Sequence, residues 1–123
     1  YYNALANRAS VAKRVLAETF ERVDTVITPV WPYPLPTIEE SDVGANPEAA
    51  KMLLRSGHNT RPVNYLGFPA VNLPTGFDAN GLPTSVQLIG APYTEAKLLR
   101  IARALERELN FWSTRPQLSV LAK

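Results

Sequence analysis

The chain has no cysteine and a single histidine, His58. Without cysteine there is no disulfide and no thiolate chemistry; this fits a reducing compartment, and a cytoplasmic location is expected. One His and no Cys leave no cluster with metal-ligand spacing, so no metal site is expected. No stretch approaches ~18 uninterrupted apolar residues, which argues against a membrane span. The six glycines are scattered singly, so no glycine-rich phosphate loop exists. Basic runs of five or more are also missing. Thirteen Lys and Arg are interspersed with 11 Asp and Glu for a net charge of +2, and no direct nucleic-acid contact is expected. Tyr1-Tyr2-Asn3 offers neither an initiator Met nor the basic and apolar regions of a signal peptide. A helical pattern begins almost at once, as in a segment of something longer.

Apolar content is 46%, normal for a folded domain. Leu5, Ala9, Ala12, Leu16, Phe20 and Val23 recur at steps of three and four and predict one face of an amphipathic helix. Asp24-Thr25-Val26-Ile27-Thr28 predicts a short buried strand stopped by Pro29. A helix feeding a buried strand is an α/β signature. From Val30 to Thr37 alternate prolines keep the chain extended. Asn46-Pro47-Glu48 combines an N-cap, a proline at N1 and an acid in the first turn, predicting a helix through Arg55 that Ser56-Gly57 ends. Thr60 and Pro62 predict a short helix to Leu66 with Gly67 as its stop. Strands are expected at 70–77 and 84–90, joined through Asp78-Ala79-Asn80-Gly81. Val71 and Leu73 then share a face with Val86 and Leu88. A last helix carries Leu98, Ile101, Ala102, Leu105 and Leu109 on one stripe and Arg100, Arg103 and Arg107 on the other. Trp112 is expected to dock the tail onto the body.

Three strands cover little surface. A sheet buried on both faces needs more layers than 123 residues in this arrangement supply. Residues 1–123 are therefore expected to form a single segment of a larger domain, with a broad apolar face open to a homodimer or other self-association.

Chemistry is sparse. Ser10, Ser41, Ser56, Ser85, Ser113 and Ser119 lie in no Gly-x-Ser-x-Gly elbow. A Ser-His-Asp set would rest wholly on His58, and a lone loop His is more often an ordinary surface residue. Trp31 and Tyr33 follow the end of a strand, where open α/β sheets bind ligands. Trp31 is accordingly a candidate pocket residue; the alternative is that its ring packs under a neighbouring loop.

Residues 24–106 carry a specific pattern. Thr60-Arg61-Pro62-Val63-Asn64-Tyr65-Leu66-Gly67-Phe68-Pro69-Ala70 resembles the T-x-P-x-N-x-x-G-x-P-A stretch of the amidase-signature family. Gly76-Phe77, Gly81-Leu82-Pro83 and Val86-Gln87-Leu88-Ile89-Gly90 follow in the family's order. Glu95, Leu98-Leu99, Ala102 and Glu106 resemble its last long helix, and Asp24 to Pro29 its D-x-L-L-T-P strand.

The resemblance implies an α/β/α fold with a mixed β-sheet flanked by helices, of which this is the C-terminal segment. It implies amide C–N hydrolysis of a small-molecule amide by a Ser–cis-Ser–Lys triad, with no cofactor. The Gly- and Ser-rich segment that carries such a triad is not among these residues; Lys13, Lys51, Lys97 and Lys123 stand at the wrong places, and no catalytic residue carries over. Scaffold and pocket wall remain. The loop Ser56-Gly57-His58-Asn59 falls where some relatives place a substrate-contacting side chain, making Gly57 and His58 candidates. Gly57 stands where glutamine-dependent amidotransferase subunits have an acid. Thr60 is expected to cap a helix and Asn64 to be a buried hydrogen-bonder; Asn72 and Gln87 are expected to be buried and to need partners. Two other readings stay open: a non-catalytic interaction module, and a subunit of a glutamine-dependent tRNA amidotransferase.

Overall fold

The computed structural model describes residues 1–111 and Thr114; Trp112 lies outside them. The chain begins with α1 (Tyr2–Val15), which runs directly into a π-helical turn at Leu16–Phe20. The expected helical face exists, but not on one regular helix. The wider turn spans one residue more per hydrogen bond, as Glu21 N donating to Leu16 O at 3.2 Å shows. It keeps Ala12, Val15, Leu16 and Phe20 together on one side, against Val63, Phe68 and Ile89. Phe20 meets the edge of Phe68 with ring centroids 5.7 Å apart.

Three strands follow: β1 (Val26–Pro29), β2 (Ala70–Phe77) and β3 (Pro83–Ile89), in the spatial order β1-β3-β2. Both pairings are antiparallel. The hairpin register sets Val71 opposite Leu88 and Leu73 opposite Val86, so these four share a face as expected. The connecting turn forms as its sequence dictates. Asp78 Oδ1 accepts from the backbone N–H of Asn80 and of Leu82, both at 2.8 Å, and Gly81 takes φ +77°. β1 differs from its expected role as a buried strand. It is an edge strand whose Ile27 is 56% exposed, because among the described residues only β3 lies beside it and no helix covers its outer flank. Pro29 belongs to the strand rather than stopping it; an edge position needs no N–H there.

The helix α5 (Glu95–Leu109) crosses one sheet face. Leu98 and Ala102 pack on Leu73 and Leu88, flanked by Val71, Ile101 and Leu105. The three arginines of its other stripe are exposed. On the opposite face lie α1, its π turn and α4 (Arg61–Leu66). This is a helix–sheet–helix arrangement of the α/β class.

Two further helices bridge β1 and α4. α3 (Pro47–Ser56) starts as expected, with Asn46 Oδ1 accepting from Glu48 N at 3.0 Å. α2 (Ile38–Ser41) was not expected. A reciprocal capping box holds it: Thr37 Oγ1 accepts from Glu40 N at 3.2 Å, and Glu40 Oε2 accepts from Thr37 N at 2.9 Å. Hydrogen bonds from its own backbone and from the Thr37 side chain also hold the Glu39 carboxyl below its usual range.

Three polar assignments are corrected. Thr60 makes no side-chain cap bond; its hydroxyl reaches back to Gly57 O at 3.5 Å, because its helical backbone angles turn the side chain away from the first-turn amides. Asn64 is exposed, since Val63 and Leu66 take the inward face of so short a helix. Asn72 is also exposed, because β2 is the other edge and no described residue overlies that part of the sheet. Gln87, opposite it on the central strand, is buried.

Candidate functional site

β1 ends where the proline-rich segment begins. Val30 N donates to Ser85 O at 3.1 Å, extending the strand pairing by one residue. Beyond it the prolines hold the backbone off the sheet. Trp31 is half-buried and donates from Nε1 to Pro34 O at 3.2 Å, so its indole is folded against its own segment.

This segment separates two clefts. One, of about 340 Å³, lies between Trp31, Tyr33 and the start of β3, with Thr75 and Asp78 at its rim. The other, of about 480 Å³, lies between Tyr33, Leu35 and the α3 residues Lys51, Met52 and Arg55. Tyr33, Pro34 and Leu35 line both. The strand-end position inferred for Trp31 is thus a cleft wall, and Tyr33 contributes to a second one.

Gly57 and His58 line neither cleft. Gly57 ends α3, and its lack of a side chain serves a neighbour. A Cβ there would stand 2.7 Å from Arg61 Nε. Arg61 lies across this position and donates from Nη2 to Leu54 O, satisfying a carbonyl at the end of α3. His58 is exposed on the loop, with its backbone N donating to Arg55 O at 3.0 Å.

The loop reaches the strand end through a residue that sequence patterns did not single out. Asn59 donates from Nδ2 to Pro29 O at 2.8 Å. Its own carbonyl accepts from Gln87 Nε2 at 2.9 Å, and the same nitrogen donates to Thr28 Oγ1 at 2.9 Å. Trp31 and the 57–59 loop are therefore both anchored at the carboxyl end of β1. A lone Gln in the apolar Val86-Gln87-Leu88-Ile89 strand signalled a need for partners; nothing local pointed to Asn59.

Among the described residues, Ser41 and Ser56 donate to helix carbonyls, and no hydrogen bond joins a serine to His58. No three His, Asp or Glu side chains gather to hold a metal among the described residues. No helix is long and apolar enough to cross a membrane among them. Around the clefts stand aromatic and proline walls, the cations of Lys51 and Arg55 and the carboxylates of Glu40, Glu48 and Asp78, with Lys51 paired to Glu48 at 2.8 Å.

The described residues thus form an α/β segment with clefts at the end of β1 and no hydrogen bond between a serine and His58. The chain belongs to the Amidase family, whose model matches residues 1–99. It is 35% identical over 122 residues to the A subunit of glutamyl-tRNA(Gln) amidotransferase from Halothermothrix orenii, covering 96% of this chain and 24% of that relative. To the Myxococcus xanthus protein of the same name it is 36% identical over 116 residues, covering 91% and 23%. Among solved structures, 6-aminohexanoate cyclic dimer hydrolase complexed with substrate superposes with a TM-score of 0.74 at 30% identity, covering 92% of this chain and 25% of that one. The Thermotoga maritima counterpart of the two amidotransferase relatives gives 0.70 at 32% identity, covering 87% and 22%. The chain thus spans about a quarter of the length of the relatives it matches.

Proposed function

We propose that this chain is the C-terminal segment of an amide C–N hydrolase, supplying sheet scaffold and pocket wall. In this reading a Ser–cis-Ser–Lys triad and its oxyanion-binding amides lie upstream, outside the 123 residues. The observation that carries it is the family match across residues 1–99 in a chain about a quarter as long as its relatives. The substrate is a small-molecule amide, and no cofactor takes part. Trp31, with Tyr33 beside it, is proposed as a wall of the described clefts, and Gly57 and His58, which line neither, as walls of a pocket completed by residues outside this segment. The compartment proposed is the cytoplasm.

A role in transamidation is the second reading, favoured by the names of the relatives. Gly57 weighs against it. The family resemblance puts it where such subunits carry an acid, and the space beside it is filled by Arg61. The apolar flanks of α5 fit a scaffold role. Grooves of about 450 and 330 Å³ run along its two sides, with Ile27 and Leu99 exposed in them. Covering them calls for further protein layers or, failing these, self-association. An isolated segment that stays monodisperse and binds no hydrophobic dye would count against this.

The test is to assay the full-length protein against simple primary amides and against glutamine. Turnover of the simple amides, abolished by Ser→Ala at the nucleophile, is expected. Undiminished turnover in that variant defeats the mechanism. Glutamine-dependent transfer alone would favour the second reading, and a full-length frame without a Ser- and Lys-bearing upstream segment would favour a non-catalytic module.

A further inference from the structure

Gln87 is the one buried polar residue among the described residues, 2% exposed at the middle of the sheet. A Met would fill its volume without the cost of burying a carboxamide. Its amide nitrogen has two protons, and the geometry uses both: Thr28 Oγ1 and Asn59 O each accept at 2.9 Å. Asn59 returns a bond from Nδ2 to Pro29 O at 2.8 Å. The result is a closed ring through the central strand, the end of the edge strand and the α3–α4 loop. Residues 59 and 87 are 28 apart in sequence, so no local turn would hold them together. The loop's other ties are to its own helices: His58 N to Arg55 O and Arg61 N to Gly57 O.

We propose that Gln87 is a positioning residue for the substrate pocket, pinning the 57–59 loop to the carboxyl end of β1 beside the Trp31 segment. It touches no substrate. It acts through Asn59, whose place fixes that of His58 and Gly57. Without the pin the loop stays in the chain but loses its register against the strand end. Substrate affinity then falls, while the chemical step on bound substrate is spared. The proposal rests on the reading of this loop as a pocket wall, so its test needs an arm that does not depend on turnover.

The experiment uses the full-length protein carrying Gln87→Met, with Thr28→Val and Asn59→Ala as milder variants. Hydrogen exchange is followed at the amides of residues 58–61, with those of α5 as the check on folding. Steady-state kinetics use a simple primary amide. For Gln87→Met, loop exchange is expected to quicken roughly tenfold, as loss of a net hydrogen bond of ordinary strength gives. Exchange in α5 should not change. KM is expected to rise roughly fivefold or more with kcat held within about twofold. Thr28→Val and Asn59→Ala each spare the bond from Gln87 to Asn59 O and should give smaller shifts in the same order. Unchanged loop exchange in Gln87→Met overturns the pin. A loosened loop with unchanged KM overturns its role in the pocket. Should the wild-type protein cleave no amide, the hydrolase reading fails, yet the exchange arm still decides whether Gln87 holds the loop. If Gln87→Met does not fold, Gln87→Leu, which also removes both donors, decides by the same exchange: a quickened loop supports the pin and an unchanged one overturns it.

Discussion

Two regions of this molecule are held together by different physics. Among the described residues, the stretch from 63 to 102 supplies every buried apolar side chain except Ala49. Leu88, with 0% exposure, is its centre. Between residues 30 and 60, where the clefts lie, almost nothing apolar is buried. Order there comes from polar closures: the Thr37–Glu40 box, Asn46 bridging Glu40 O and Glu48 N, and Arg61 on the end of α3. Packing is unforgiving of volume change, whereas caps and turn bonds contribute locally and modestly. The rim can therefore change its side chains while the scaffold behind it stays intact.

The comparison makes graded predictions for the full-length protein, followed by urea unfolding. Leu88→Ala empties the centre of the packed region and should cost about 2–5 kcal/mol; a cost under about 1 kcal/mol would mean that this centre is not load-sharing as described. Gly90→Ala comes next. Its Cβ would stand 2.8 Å from Thr94 Oγ1, which is fixed by a 2.7 Å bond to Ala91 O. Overpacking of this kind should cost about 1–3 kcal/mol. Thr37→Ala should cost about 1 kcal/mol in the rim alone, seen as faster exchange at residues 38–41 with no change at β3. Met52→Ala should stay within about 0.5 kcal/mol of wild type; a core-sized loss there would erase the distinction between the two regions.

The smallest expected effect is on pH. The Glu39 carboxyl is held below its ordinary value of 4.5 by hydrogen bonds made only when α2 is folded. The ionised group therefore favours the folded form above that value. The contribution is lost as pH falls through the lowered, folded-state value. Chemical-shift titration should show α2 loosening only in that acidic window, with β3 unaffected. An α2 that loosens near neutral pH would contradict the assignment.

The two regions also differed in how much their sequence disclosed. α5 was legible from its own stripe, the hairpin from Asn80-Gly81 and alternating Val71, Leu73, Val86 and Leu88, and α3 from Asn46-Pro47-Glu48. Each rests on forces that act within a few residues. The Thr37-Ile38-Glu39-Glu40 box was also visible in principle, but the prolines before it dominated the local pattern. What could not be seen was set by neighbours distant in sequence. The π turn follows from fitting Leu16 and Phe20 against Phe68, and the exposure of Ile27 and Asn72 from their being on edges. Trp31 was placed by its strand end. The tie of the 57–59 loop to that same end depended on Asn59, whose type and spacing look like any turn residue.

The strand order has a consequence for time rather than for structure. β1 and β2 never touch; each waits for β3, which leaves the ribosome last of the three. The β2–β3 hairpin needs only a short turn and can close in ~1–10 μs. β1 must find its partner across some sixty residues, as the Val26–Ile89 pairing requires, and that search is slower and entropically costlier. Assembly is thus expected to run from the hairpin outward, with the edge strand and the wall it carries docking late. Pulse-labelled exchange should show β3 protected against β2 before β1; simultaneous protection of all three would refute that order. A nascent chain held before Pro83 would have a proline-walled rim and no sheet to hang it on.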